Sequence, residues 1–448
     1  MSEKRSSFTG KIGFVLSAAG SAVGLGNIWR FPYLADSYGG GIFLLVYIVL
    51  AVTFGFALMS AEIALGRKTG LSAIGAFKKL DKRFSFVGYL ASLVPIIILP
   101  YYSVIGGWII KYLWAFMSGS GAEAANPAYF DNYIVDPAGA LFWFVIFATL
   151  TFIIVWFGVE KGIEKASKIL MPALVVLSLV IAVYVLTLPG AMKGVLYYIT
   201  PDFSKFSVKT VLGAMGQLFY SMSLAMGIMI TYGSYMKKDV HIESSVKQIE
   251  IFDTGIAFLA GLMVIPAGYA LGNGDVKSGP GLMFKALPMV FDSFSAGHVL
   301  GILFFILVLF AALTSSISLM ETVVSIFCDK LKANRKLVCI LVYIGCLLLG
   351  VPSALGYGPL SSVQIIGMAF LDFFDFISNS VIMPIVAFLT CVFVGYFIKP
   401  KTLIDEIELT GKFKQKGLFT VMVKYIAPIF IVLILLSSVL GAFGIFKI

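Results

Sequence analysis

Apolar residues run along this chain in blocks of about twenty, long enough to cross a hydrocarbon core as helices. They fall near residues 12–36, 41–66, 88–117, 140–158 and 167–187, then near 208–235, 249–272, 297–328, 337–352, 364–397 and 421–444. The pattern predicts an all-α membrane protein with about eleven spans. Two of the blocks are interrupted at mid-depth. The first contains Gly20, Gly24 and Gly26 within seven residues; each glycine weakens a helix by ~1 kcal/mol. A backbone broken in hydrocarbon leaves amides and carbonyls unpaired at a cost of several kcal/mol each, so a break lasts only where protein, water or an ion takes those groups over. That predicts a binding site, and a close-packed seam of small residues is the competing reading. The sixth block is interrupted again, around Gln217, Ser221 and Ser223. Broken helices at matching places in two halves point to an inverted-repeat transporter, here with halves near 12–187 and 208–397 and an additional helix near 421–444. The repeat rests on the segment count and the two breaks, because the halves show no direct sequence similarity.

Composition agrees. Hydrophobic residues make up 60% of the 448 and charged residues only 12%, where a soluble protein carries about 25% charged. This excludes a disordered or nucleic-acid-binding chain, so the net charge of +10 needs another origin. With the N-terminus placed in the cytoplasm, 25 of the 33 lysines and arginines fall in cytoplasmic segments, as positive-inside sorting demands. The odd span count then puts the C-terminus outside. The first block is too long for a cleavable signal. Cys328, Cys339, Cys346 and Cys391 are expected as free thiols. His241 and His298 lie far apart in loops, which leaves no metal cluster and no catalytic constellation. The chain does not read as an enzyme.

Several polar groups fall inside the apolar blocks, where they need partners. Arg30 requires a watery vestibule or an acid, and Asp375 is a candidate. Glu62 either tethers the broken first helix through its amides or snorkels to the cytoplasmic rim. Asp253 either neutralises or finds a cation. The Tyr102 hydroxyl either meets a ligand carboxylate or a helix carbonyl. Thr314, Ser315 and Ser316 either cap their own helix or supply the hard oxygens that an alkali cation needs. Gly162 and Pro172 mark a segment that unwinds or kinks, and Gly279–Phe284 opens either a re-entrant cap or a loop.

These residues carry a resemblance. The run Gly24-Leu25-Gly26-Asn27-x-x-Arg30-Phe31-Pro32, with Gly66-Arg67, Gly162-Ile163-Glu164-Lys165, Gln217, Tyr232–Tyr235, Ala260-Gly261 and Thr314-Ser315-Ser316, resembles the neurotransmitter:sodium symporters, especially their bacterial amino-acid transporters. The match extends from about Arg5 to the tenth span. It implies the leucine-transporter fold, with a 5+5 inverted repeat and discontinuous helices 1 and 6. It also implies a multi-pass protein of a bacterial plasma membrane, either monomer or homodimer, whose partners are the lipid bilayer and an amino acid. Two sodium ions are implied as co-transported substrates. The first would use Ala22, Asn27, Ser221, Asp253 and the substrate carboxylate; the second Gly20, Val23, Ala311, Thr314 and Ser315. The substrate carboxylate would meet the Leu25 and Gly26 amides at a half-helix N-terminus, with Tyr102 above it. Its ammonium would face Ala22, Tyr220, Ser221 and Ser223. Its side chain would enter a pocket of Ile98, Tyr220, Met226, Ser316 and Leu319. Arg30 and Asp375 would gate the outside; Arg5, Ser234, Tyr235 and Asp329 the inside.

Three departures refine the expectation. Monoamine-carrying relatives have an aspartate at Gly24, so glycine implies a substrate bringing its own carboxylate. Asp253 stands where asparagine is frequent, and Ala257 replaces a serine of the chloride site otherwise matched by Tyr47, Gln217 and Ser221. A fixed negative charge there implies transport without chloride. Finally, many relatives have twelve spans rather than eleven. The function expected is sodium-coupled import of a hydrophobic or aromatic amino acid.

Overall fold

In the computed structural model, residues 6–270, 282–293 and 296–442 are described. Arg5, expected at the inner gate, lies outside them, as do Gly279, Pro280 and Gly281. Helices account for the bundle, and among the described residues the only β contacts are the isolated bridges Gly40–Pro201 and Ile365–Met368.

Among the described residues, nine helices are long and apolar enough to cross a membrane, and a tenth span is formed by the bent pair Lys11–Ala22 and Gly26–Ser37. The remaining expected span, the sixth, escapes a length test because it is two short pieces, Val208–Ser221 and Ile228–Tyr235. In chain order the unbroken spans are Gly41–Thr69 (second), Lys82–Met117 (third), Pro137–Trp156 (fourth), Val159–Leu186 (fifth), Ile242–Ala270 (seventh), Gly297–Leu331 (eighth), Arg335–Leu355 (ninth), Phe370–Phe397 (tenth) and Lys416–Gly441 (eleventh). The third and eighth form the centre, with 78% and 72% of their apolar windows buried. The fourth, fifth and eleventh are peripheral, at 33% each.

Polar caps set where spans start. Asp136 accepts from the Ala138 and Gly139 amides, Ser207 from Thr210 and Asn334 from Lys336, each satisfying a donor that a helix start leaves orphaned. The fifth span differs from expectation. Its Gly162 region neither unwinds nor simply kinks but forms a π-helical turn, Val159–Glu164.

Glycines let the second span and the lower half of the sixth touch backbone to backbone. A Cβ on Gly66 would stand 1.9 Å from the Ile230 carbonyl oxygen, and one on Gly233 would stand 2.4 Å from that of Ile63. At the same end of the bundle, the fully buried Arg67 guanidinium pairs with Glu406 at 2.9 Å and donates to the Val240 carbonyl at 2.6 Å. Glu406 belongs to Pro400–Ile407, an amphipathic helix in the connector between the tenth and eleventh spans, and also meets Lys238 at 2.6 Å.

Glu62, buried in the second span, does tether a broken helix, but the sixth rather than the first. Its carboxylate accepts from the Ala225 amide at 2.7 Å. Removing that acceptor orphans a buried amide. Glu62→Ala should therefore lower stability by about 1–3 kcal/mol, while Glu62→Gln, which keeps a carbonyl acceptor, should lose less. Thermal unfolding of the purified variants in detergent reads the difference; equal loss in both would contradict the tether.

Candidate substrate and ion site

The two breaks face each other at mid-depth. The first helix stops at Ala22, Val23 turns extended, and a π-helical turn, Gly26–Arg30, leads into Phe31–Ser37 with the axis bent by 54°. The sixth stops at Ser221, and residues 222–227 are non-helical. Within them Ser223, Ala225 and Gly227 adopt left-handed φ values of 52°, 60° and 70°. Two of these are not glycine, at a cost of roughly 1–2 kcal/mol each. Local bonds offset it: Ser223 donates to the Ser21 carbonyl at 2.9 Å, and Ala225 donates to Glu62. Gln217 ties the breaks together by donating to the Gly26 carbonyl at 2.8 Å. Close approach at Gly26 is essential here, since a Cβ would lie 2.5 Å from the Tyr220 ring.

Beside the breaks sits a wholly buried carboxylate. Asp253 accepts from Ser221 at 2.6 Å, from the Asn27 amide at 2.8 Å and from the Tyr47 hydroxyl at 3.0 Å. All three donors are neutral, and among the described residues no cationic side chain pairs with it. The Asn27 side-chain oxygen meanwhile accepts from the Gly24 amide at 3.0 Å. Asn27, Ser221 and Asp253 are thus tied together, Ala22 shares a cavity wall with Ser221, and all four carry hard oxygens of the kind that alkali cations take. Among the described residues, no cluster of three or more His, Cys, Asp or Glu side chains forms a transition-metal site.

The second group of oxygens lies between the first and eighth spans. Ser315 donates to the Ser21 carbonyl at 3.1 Å and more weakly to Val23 at 3.4 Å. Thr314 donates to Phe310 and Ala311 on its own helix, both at 3.0 Å, and packs on Gly20, where a Cβ would lie 3.2 Å from its Cβ. Gly20, Val23, Ala311, Thr314 and Ser315 therefore share one helix contact.

A cavity of about 30 Å³ separates the breaks, lined by Ser21, Ala22, Gly24, Leu25, Gly26, Tyr220, Ser221 and Ser223, with Ile98, Tyr102, Met226, Ile228, Ser315 and Leu319 completing it. That is room for about one water. The Tyr102 hydroxyl is buried beside the Ser315 hydroxyl and the Leu25 backbone, and lies 3.3 Å from where a Gly24 Cβ would stand. Ser316, expected in the pocket, turns away from it: its hydroxyl bonds Thr151 of the fourth span at 2.8 Å. Ile228 lines the cavity without having been singled out; it begins the lower half of the sixth helix, and a residue's direction after a non-helical stretch is not readable from spacing.

The gate residues are arranged unevenly. Among the described residues Arg30 forms no carboxylate pair; its guanidinium lies over the Tyr220 ring at 5.3 Å. Asp375 instead accepts from Tyr101 at 3.1 Å and Asn379 at 2.7 Å, at the edge of a vestibule of about 650 Å³. At the opposite end Phe8 packs edge-on against Phe14, Tyr232 and Tyr235. Tyr235 donates to Glu321 at 2.7 Å, and Glu321 pairs with Arg335 at 2.5 Å. Asp329 accepts from the Ser72 amide at 2.7 Å, while Ser234 donates to its own helix at Thr231. Glu164, on the π-helical turn, holds the entry to the first span: it accepts from the Thr9 amide at 2.8 Å and from the Thr9 hydroxyl, and pairs with Lys168 at 2.6 Å.

Comparison with known proteins places this geometry in context. The model of the sodium:neurotransmitter symporter family matches residues 5–126 and 130–443. YhdH of Bacillus subtilis, described as an uncharacterized sodium-dependent transporter, is 35% identical, over 98% of this chain and 99% of its own length. A sodium-dependent transporter of Haemophilus influenzae is 32% identical over 97% and 98%. The crystal structure of MhsT in complex with L-phenylalanine superposes with a TM-score of 0.87 at 39% identity, covering 97% of this chain and all of that one.

The contact at Gly24 gives a test. A Cβ there would stand 2.6 Å from the Ser315 hydroxyl oxygen and drive it off the Ser21 and Val23 carbonyls. Gly24→Ala should weaken sodium-dependent thermal stabilisation by at least about tenfold in midpoint concentration, the equivalent of one polar contact. Gly216→Ala, which meets open space, should leave the midpoint unchanged. A sodium titration of melting temperature that moves equally for both variants would refute the assignment.

Proposed function

Because the chain belongs to the sodium:neurotransmitter symporter family, a family of sodium-dependent transporters, we propose that it imports a hydrophobic or aromatic amino acid by sodium-coupled symport across a bacterial plasma membrane. The observation that carries this reading is Asp253: a buried carboxylate with three neutral donors, Asn27 and Ser221 from the two broken helices and Tyr47 from the second span. A charge held that deep is costly without a counter-charge. One sodium ion with Ala22, Asn27, Ser221 and Asp253 supplies it, and the substrate carboxylate completes the shell. Each ligand then makes the other's binding more favourable, which is coupling in the reciprocal sense.

The substrate's carboxylate lies against the Leu25 and Gly26 amides under Tyr102, whose buried hydroxyl supplies a donor. The left-handed stretch at Ser223 turns carbonyls toward the ammonium. Ile98, Tyr220, Met226 and Leu319 accept an apolar side chain, the thioether adapting to shape. Since the cavity is about 30 Å³, Tyr220 and Met226 must move outward to admit it. The L-phenylalanine carried by MhsT is consistent with that size class.

A second sodium ion among Gly20, Val23, Ala311, Thr314 and Ser315 pins the first span to the eighth. Its departure frees the entry segment held by Phe8 and Glu164 and opens the inner side. Arg30 and Asp375 close the outer one once Arg30 leaves the Tyr220 face. The N-terminus and the lysine-rich loops face the cytoplasm, which is where positive-inside sorting puts them.

Two measurements test the ion assignments. Thr314→Ala combined with Ser315→Ala should abolish sodium-driven uptake into proteoliposomes while substrate-free thermal stability stays within about 1 kcal/mol of the parent; uptake at the parental rate excludes this second site. Replacing chloride by gluconate at fixed sodium should leave uptake unchanged, because Asp253 supplies the negative charge and Ala257 removes a hydroxyl from the anion's shell. A fall in uptake would show that chloride is needed.

A further inference from the structure

An apolar crevice of about 290 Å³ lies between the third, eighth and ninth spans, away from the transport site. Its floor is Val323, Val338, Val342 and Cys346, all buried, and its rim includes Leu331, Leu341 and Leu349, each more than half exposed. The Cys346 thiol, 3.8 Å from the Ser103 hydroxyl, is the only side-chain heteroatom in the lining. Nothing there can orient the charged ends of an amino acid. The crevice opens onto a face of exposed Leu337, Leu341, Ile344 and Leu348, a surface made for hydrocarbon.

Its position along the membrane normal narrows the occupant. From Val338 to Leu349 the ninth span rises roughly 16 Å at 1.5 Å per residue, about half of the ~30 Å hydrocarbon core. The crevice therefore reaches from one interface to mid-membrane, the depth of a single acyl chain. With the lysine-rich end facing the cytoplasm, as proposed above, that interface is the cytoplasmic one.

The mouth is basic. Lys330 and Lys332 flank Leu331, and residues 330–336 contain Lys330, Lys332, Arg335 and Lys336 with no acid. Arg335 is committed to Glu321, Lys336 lies over Trp156, and the adjacent Asp329 accepts from the Ser72 amide. Lys330 lies over Tyr89 of the third span at 4.5 Å, which holds one exposed ammonium on the side of the crevice. Lys332 ends the eighth span in a left-handed turn, φ 50°, that folds the chain directly into the ninth. Basic residues at the cytoplasmic ends of helices that enclose an apolar slot are the elements that recognise acidic lipid head groups.

We propose that this crevice is a binding site for an anionic phospholipid of the cytoplasmic leaflet, with one acyl chain along Val338–Leu349 and the phosphate at Lys330 and Lys332. The test is native mass spectrometry of the detergent-solubilised full chain, titrated with dioleoylphosphatidylglycerol or dioleoylphosphatidylcholine. The wild type should retain one phosphatidylglycerol about thirtyfold more tightly than phosphatidylcholine, since each of two surface lysines contributes a factor of about five. Lys330→Gln with Lys332→Gln should bring the two lipids to parity. Gly345→Phe fills the crevice from a position where a Cβ meets nothing within 4 Å, and should abolish the tight retention of either. Equal retention of both lipids by the wild type, or unaltered phosphatidylglycerol binding in Gly345→Phe, would each overturn the proposal. So would a dimer that Gly345→Phe dissociates, which would assign the crevice to a second copy.

Discussion

Backbone that leaves a helix inside a bilayer has to be satisfied by something other than lipid, and this requirement organises the molecule. The second span contributes Glu62 to the Ala225 amide, the eighth contributes Ser315 to the Ser21 carbonyl, and the sixth contributes Gln217 to the Gly26 carbonyl. None of these ties is local in sequence. The spans that carry them are consequently fixed in rotation about their own axes, and the central third and eighth spans fill the space around them. Closeness is obtained with glycine: at Gly24, Gly26, Gly66 and Gly233 the next atom already stands where a side chain would begin.

The same arrangement explains why the site is electrostatically unfinished. Neutral donors hold the Asp253 carboxylate in place without cancelling its charge, so geometry is prepared in advance, and in the function proposed above the balance of charge waits on a mobile ion. A lysine or arginine at Asn27 or Ser221 would balance it permanently and leave no role for a cation. Preparing shape but not charge makes a protein respond to an ion gradient.

Much of this was legible in the order of residues, and the failures have identifiable causes. Three glycines in an apolar block announce a break, because their effect is local. Glu62 was recognisable as a tether, yet its partner was not, since the tie runs to Ala225 in another half of the molecule. Arg30 and Asp375 were expected as a gating pair; they lie within electrostatic reach of each other without an ion pair, Arg30 resting over the Tyr220 ring and Asn379 donating to Asp375. Ser316 was placed in the pocket by resemblance, but two consecutive hydroxyls on a helix point about 100° apart, and with Ser315 facing the break Ser316 faces Thr151. Glu164 was visible only as part of a motif, and its hold on Thr9 depends on a π-helical turn that no periodicity announces.

The buried pair at the foot of the second span bears on how far the chain can be reduced. Arg67 receives its counter-charge from Glu406, on the connector that follows the tenth span. A minimal version trimmed to the two five-helix repeats would strand a guanidinium in the interior, and stranding one partner of such a pair is far worse than never having had it. The connector after the tenth span is thus less an appendage than a keystone set after the arch, and a designer seeking a smaller scaffold would have to neutralise position 67 before removing it.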